Sequence, residues 1–403
     1  MEGKIQYIIS TIAGYPHFKN TYFPVYLPEE FFFRIKNRVM STPASNSLYN
    51  ESYRDHVKDL RKIGAHPDHW YPLARTREVK KGRTLSRSFA GDPVVLFRTE
   101  SGKLYALEDR CAHRQVPLNA GVVKGENIQC CYHGWIYDGG GNCVNIPYVG
   151  KSDRVPKGVR AYPCREEYDL VFVYPGDPGK LENAIFPEVP SWHDSHYKTR
   201  YLDSRVGCHY SFLHENLMDM NHQFLHRRIM SSIRTTFLGM REGPDWVEVD
   251  YTFSRVGKQP VGERFILGRR STATDERPRD LMTVRTQYPH QTLKFWTAGS
   301  NDPALDLWIT YVPVDREQRI NHTYGLMNIR KPGVPGLINL LWPFIVWFTE
   351  GIFTEDRWVV EMEQSAFDAQ GADWNQEIFP VILSLRDVLI RNGVPINSEK
   401  WKV

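Results

Sequence analysis

Cys111-Ala-His113 and Cys130-Cys131-Tyr132-His133 set one cysteine and one histidine in each of two short clusters. A chain built this way must fold so that two loops meet and offer two thiolates and two imidazoles to one centre. Such a donor set holds a mixed-ligand [2Fe–2S] cluster, with two thiolates on one iron and two imidazoles on the other. Neutral imidazoles leave the cluster less negative and raise its reduction potential. A Cys2His2 zinc site uses the same residue types, but zinc sites usually pair like with like, as C-x2-4-C and H-x3-5-H. The mixed clusters favour iron–sulfur chemistry, and so a protein that moves single electrons.

The flanking residues sharpen the reading. The segment CAHRQVPLNAGVVKGENIQCCYHGWIYDGGGNCVNIP, with its Leu118/Gly121 pair and His133-Gly134-Trp135, resembles the Rieske domain of non-haem iron oxygenases. Cytochrome bc-type Rieske proteins carry two further cysteines, as C-x-H-x-x-C and C-x-C-H. Val116 and Tyr132 stand at those places here, which favours the oxygenase branch. His69-Trp70-Tyr71-Pro72-Leu73-Ala74 resembles the usual entry to the module.

The 403 residues allow two or three domains, and 41% apolar content is enough for a substantial core. A net charge of +4 without charge runs gives no argument for nucleic acid. Beyond Cys111 and Cys130, the cysteines Cys131, Cys143, Cys164 and Cys208 show no disulfide framework and read as reduced thiols of an intracellular protein. The N-terminus has one lysine near a short apolar patch and no small-residue cleavage site, against a signal peptide. The run 334–353, VPGLINLLWPFIVWFTEGIF, is long enough to raise a membrane question, although Pro335, Asn339, Pro343 and Glu350 interrupt it. It reads first as core or subunit-interface helix, then as interfacial membrane contact, and last as a spanning helix. The expected location is the cytoplasm, with a membrane surface or an organelle left open.

Alternating and short apolar runs with glycine turns predict hairpins over Pro93–Arg98 and Leu104–Glu108, and a strand over Leu170–Tyr174. A helix is expected over Tyr210–Met230. Strands are expected over Trp246–Val256, Leu281–Gln287, Thr292–Ala298, Leu307–Val314 and His322–Ile329. Helices follow over Thr354–Gln370 and Gln376–Asn392. Residues 1–66 form an N-terminal extension of unknown role with a helix-like stretch at Tyr53–Lys62. Residues 67–178 form the Rieske domain, and 179–403 the catalytic domain. The fold class is α+β. The element order is compatible with a β-sandwich-like cluster domain before an antiparallel sheet gripping a long C-terminal helix, and the helix-grip name comes from the resemblance.

On the expected helix, Asp219, His222 and His226 are three and four residues apart and share a face. Two histidines one turn apart can bind one metal, and two histidines with one carboxylate make the facial triad of Fe(II) oxygenases. The segment resembles the D/E-x2-H-x3-4-H signature of the catalytic domain, with Asn216 ahead of it. Three residues separate the histidines here, where most members have four. Arg227 takes the more usual place and cannot ligate, and His214 is a fallback. Thr354-Glu355-Asp356-Arg357-Trp358-Val359-Val360-Glu361 resembles the E-D-x-x-x-x-E start of the last long helix. That match makes Asp356 the third ligand, with Glu355, Glu361 and Glu363 as competitors. The resemblance gives Asp219 another role, bridging the cluster of one subunit to the iron of its neighbour. A closed head-to-tail ring, most simply a homotrimer, would place the two side by side.

The resemblance implies a terminal oxygenase with one Rieske [2Fe–2S] cluster, held by Cys111, His113, Cys130 and His133, and one mononuclear Fe(II), held by His222, His226 and Asp356. It would activate O2 to hydroxylate or oxidatively demethylate an organic substrate, or dihydroxylate an aromatic ring as a dioxygenase α-subunit does. The high aromatic content and the 334–353 run point to a bulky apolar or aromatic substrate, though they also suit an ordinary core. No C-x4-C-x2-C ferredoxin motif and no G-x-G-x-x-G fingerprint in a βαβ setting is found, so a ferredoxin and an NAD(P)H-dependent reductase would be separate partners. A Rieske electron carrier with a degenerate second domain and a non-catalytic metal scaffold are the competing classes.

Overall fold

The structure, a computed structural model, describes residues 59–149, 156–256, 258, 259, 261, 263, 264 and 280–396. Its first half is three small antiparallel sheets. Arg83–Phe89, Asp92–Arg98, Leu104–Glu108 and Ala161–Tyr162 form one, and Tyr71–Arg75, Leu170–Val173 and Cys164–Glu167 a second. Val122–Lys124, Asn127–Gln129, Ile136–Tyr137 and Cys143–Asn145 form the third; the Cys130–His133 loop joins two of its strands, and the Cys111–His113 loop leads into it from Leu104–Glu108.

The second half is one antiparallel sheet, seven-stranded among the described residues. Its spatial order is Tyr197–Val206, Asn321–Arg330, Leu305–Pro313, His290–Trp296, Asp280–Gln287, Trp246–Arg255 and Ile233–Glu242. Helices Tyr210–Met218, Leu337–Gln370 and Pro380–Asn392 share a buried core with it through Phe212, Ile345, Val360 and Leu385, set against Val249, Val284 and Ile309. The α+β reading holds, with the long helix held against the sheet.

The two halves share a second core in which Tyr71, Val94 and Phe172 meet Trp308, Tyr324 and Leu326. Backbone joins them as well: Ala90 N–H donates to Pro313 O at 2.8 Å and Gly91 N–H to Val314 O at 2.9 Å. Gly91 has φ +86°, and a Cβ there would meet Arg316 backbone at 2.9 Å, so this junction requires glycine.

Three expectations differ from what is observed. Tyr210–Met230 is not one helix: it ends at Met218, Asp219 is extended, and Met220–Phe224 is a separate 3-10 turn. The cause is Asp219, whose carboxylate accepts the Asn221 N–H at 2.8 Å and so caps the next turn in place of continuing the helix. The interrupted run 334–353 and the helix at 354–370 are one 34-residue helix, Leu337–Gln370, with Pro343 inside it. The carbonyl released by that proline belongs to exposed Asn339, where water can take it. Finally, the end of the 1–66 extension belongs to the catalytic half: Leu60 is buried in its core and Ile63–Gly64 pairs with Val394–Pro395. Residues 1–58 of the extension, including most of Tyr53–Lys62, lie outside the described residues.

Candidate active site

Cys111 and Cys130 are buried side by side at the tips of the two loops. Each loop is pinned by its own backbone. Cys111 N–H donates to Val116 O and Cys130 N–H to Trp135 O, both at 2.8 Å. Burial pushes the Cys130 thiol up, and neighbouring Cys111 adds to the shift. Two buried thiols side by side are a poor place for thiolates unless a cation holds them. The Tyr137 hydroxyl accepts the Ala112 N–H at 3.1 Å, which frees its own proton for Cys111 Sγ, also at 3.1 Å.

The His113 and His133 rings meet edge to face with centroids 4.5 Å apart, and His113 is stacked flat on Trp135 at 4.8 Å. His113 Nδ1 is buried without a hydrogen-bond partner among the described residues. A buried nitrogen with no partner costs free energy unless something binds it. A thiol pair and an imidazole pair, each drawn from both loops, are the donor set that a [2Fe–2S] cluster of the Rieske kind needs.

The second site lies on the inner side of the long helix. One donor atom each from His222, His226 and Asp356 falls within 4.8 Å of the others. The broken helix does not prevent this: the 3-10 turn after Asp219 brings the His222 ring to 5.1 Å from that of His226. Asp356 Oδ1 is 3.1 Å from His226 Nε2 and 3.9 Å from His222 Nε2. Among the described residues, His222 Nδ1 has no hydrogen-bond partner. Burial pushes His222 toward its neutral form, the form that ligates, and Asp356 opposes this. At His226 burial is outweighed by the Asp356 and Glu355 carboxylates, which raise its pKa. Two neutralisable imidazoles and one carboxylate suit Fe(II) with open positions.

The neighbouring candidates fall elsewhere. Glu355 Oε2 lies 2.9 Å from His226 Nδ1, on the far side of the ring from Asp356. Glu361 accepts the Gly207 N–H at 3.0 Å. His214 is buried against Tyr311, its pKa pushed down to about 3 by burial, and stands outside the triad. Arg227 is exposed. Asp219 holds Asn221 through both its N–H and its side-chain amide, at 2.8 Å each.

Beside the triad opens a cavity of about 170 Å³. Met220, Met230, Met282 and Met327 line it, with Leu293 and Phe295 from one strand and Leu305 and Leu307 from the next. The long helix adds Phe348, Thr349, Ile352 and Phe353, and Asn216 and Glu263 are among its few polar walls. Among the described residues no lysine or arginine lines it. Sequence reading named Asn216 and pointed to the 334–353 run, and it did not find the strand residues or the methionines. Their only local signal is the i, i+2 apolar alternation of Leu293/Phe295 and Leu305/Leu307, which any core strand shows.

Residues 69–163 match the Rieske [2Fe-2S] domain, and residues 206–383 match the vanillate O-demethylase oxygenase C-terminal domain. A 4beta-methylsterol monooxygenase of Methylococcus capsulatus is 30% identical over 359 residues, which cover 86% of this chain and 91% of that protein. The oxygenase component of dicamba O-demethylase from Stenotrophomonas maltophilia is 35% identical over 159 residues, 39% of this chain and 47% of its own length. The crystal structure of dicamba monooxygenase with non-heme iron and dicamba superposes with a TM-score of 0.60 at 22% identity, covering 81% of this chain and 97% of that one.

Proposed function

Since the chain belongs to the Rieske non-haem iron oxygenases, we propose that it inserts oxygen into a C–H bond of a neutral, bulky apolar substrate held in the cavity beside His222, His226 and Asp356. It is the terminal oxygenase component of such a system, an oxidoreductase with a Rieske [2Fe–2S] cluster and a mononuclear iron. It takes electrons from ferredoxin or reductase partners and acts on an organic substrate with O2. Bound at these sites, the cluster would relay electrons one at a time and the iron would activate O2.

Cys111, His113, Cys130 and His133 are assigned to the cluster within residues 67–178. His222, His226 and Asp356 are assigned to the iron within 179–403. The observation that carries this reading is the convergence of the three donor atoms at the wall of an apolar cavity. The methionines and leucines exclude water and leave a substrate mostly van der Waals contact, so shape, more than charge, would select the reacting carbon. Among the described residues, a carboxylate substrate would find no cation on these walls to pair with its charge. Oxidation of a methyl group attached to a polycyclic or aromatic frame suits both this cavity and the named activities of the relatives.

A homotrimer in which Asp219 of one chain bridges to the cluster of the next is part of the proposal, supported by the half-buried position of Asp219 beside His222. Four cysteines outside the proposed cluster, none in a disulfide and Cys131 exposed, fit a reducing compartment such as the cytoplasm. The test is turnover with surrogate ferredoxin and reductase under 18O2, across neutral polycyclic and aromatic ethers and their carboxylated analogues. A mass shift on a neutral compound is expected. Incorporation confined to carboxylated substrates would overturn the cavity argument, and no incorporation with both metal sites loaded would overturn the oxygenase reading.

A further inference from the structure

The long helix has two apolar faces, and the cavity uses one of them. Ile338, Leu341, Ile345 and Phe348 are buried in the catalytic core, while Leu340 is 76% exposed, Phe344 61% and Trp347 72%. Each helical residue advances about 100°. The three exposed side chains therefore lie within an arc of about 60°, on the side away from Thr349, Ile352 and Asp356. Val334, 61% exposed, extends the patch beyond the helix start. The helix is long and apolar enough to cross a membrane, yet only 28% of its most apolar window is buried. It cannot span one, because its inner face is part of the catalytic core and walls the cavity. A core helix, for its part, would not leave such large side chains in water.

Charge indicates what covers the patch. Residues 332–349 contain no ionisable side chain. Cations rim both ends. Lys331 is exposed at one end, and Lys198 lies 4.3 Å over the Trp342 ring with its ammonium on Asn339 Oδ1 at 2.6 Å. Arg227 and Arg228 are exposed at the other, on the short helix whose Ile229 lies against Gly351. Glu350, the acid that interrupts this rim, is ion-paired with Arg200. A two-fold contact between copies would set this cationic rim against itself, and a head-to-tail contact is the alternative occupant that the test below separates. An apolar band carrying Trp, Phe and Leu between basic residues suits the interface of an anionic bilayer.

We propose that the outward face formed by Val334, Leu340, Phe344 and Trp347 docks on an anionic lipid bilayer, with Lys198, Lys331, Arg227 and Arg228 meeting the headgroups. Docking would leave the cavity about one helix diameter, roughly 10 Å, from the lipid. Apolar substrate could then pass from bilayer to cavity without crossing water; this last clause rests on the oxygenase reading, and the surface itself does not.

The test is flotation of the full chain with vesicles of phosphatidylcholine and phosphatidylglycerol in a three-to-one ratio. The parent should float at low salt and float less with pure phosphatidylcholine or at high salt. Phe344→Glu and Trp347→Glu should each lower partitioning at least about tenfold, with the cluster absorption unchanged. Trp347→Phe should still float but lose much of the tryptophan quenching by brominated phospholipid. Asp356→Ala should float normally, so a failed oxygenase reading and a failed bilayer reading are told apart. A parent that stays unbound to charged vesicles would overturn the proposal. So would Phe344→Glu floating like the parent, or dissociating an oligomer without changing flotation, since the face would then join copies of the chain.

Discussion

Glu355 and Asp356, consecutive on the long helix, address opposite nitrogens of one imidazole: Glu355 Oε2 is 2.9 Å from His226 Nδ1 and Asp356 Oδ1 is 3.1 Å from His226 Nε2. The first carboxylate fixes the tautomer and ring angle, which leaves Nε2 facing the triad. This clamp accounts for how a histidine with three intervening residues, rather than four, still reaches the site. The backbone between His222 and His226 is irregular, so the ring is held by a side chain from elsewhere in the fold.

Removing the clamp should loosen the metal without unfolding the chain. Glu355→Ala is expected to weaken Fe(II) binding by about 10- to 100-fold. Glu355→Gln keeps an acceptor and should lose less. Titration of metal-free protein with Fe(II), read with the cluster spectrum as a control, measures both. Equal affinity in parent and Glu355→Ala would show that packing alone orients His226.

The two metal sites have separate donors, so they should fail separately. His222→Ala, His226→Ala and Asp356→Ala should each lose mononuclear iron and oxygenation while the reduced Rieske EPR signal persists. Iron and sulfide counts per chain supply the check. Retained iron and turnover in His226→Ala would transfer the ligand role to another residue.

Around the cluster, charge and hydrogen bonding set the potential. His113→Cys replaces a neutral ligand by an anionic one and should lower it. Tyr137→Phe removes the hydroxyl 3.1 Å from Cys111 Sγ and should lower it by a smaller amount. Potentiometric titration followed by EPR gives both values, and an unchanged potential in His113→Cys would contradict the assignment of that histidine.

What was legible in the sequence follows from how local each signal is. The cluster loops could be read because their donors are neighbours in the chain. The inner strands, such as Leu305–Pro313, could be read because apolar runs mark them. Both edge strands of the large sheet were missed. Tyr197–Val206 carries Lys198, Arg200, Asp203 and Arg205, and Ile233–Glu242 carries Arg234 and Arg241. Edge strands tolerate and often favour such charges, which erases the apolar pattern. The break at Asp219 was missed because three-and-four spacing satisfied a helix, whereas the side-chain cap on Asn221 is decided by a single carboxylate. Glu355 was weighed only as a rival ligand, since its partner lies far upstream and adjacent carboxylates look equivalent in sequence. The cavity walls come from separate strands and carry no motif.

Asp219 joins the two halves of the proposed mechanism and is not a member of the triad. In the single chain its carboxylate holds Asn221, and His222 Nδ1 has no partner among the described residues. A neighbouring subunit's cluster histidine could be met from this half-buried position. Asp219→Asn should therefore leave both metals bound and slow electron delivery to the iron, since an amide poorly replaces a charge-assisted bridge between imidazoles. Stopped-flow oxidation of the reduced cluster in the presence of substrate and O2 measures this step. The route is separable from the residue. Chains carrying Cys111→Ala and chains carrying Asp356→Ala should each be inactive alone. Mixed trimers should regain part of the activity, because some interfaces then set an intact cluster beside an intact iron site. Verified mixed trimers that stay inactive would mean that electrons travel within one chain, and the bridging role of Asp219 would fall with that result.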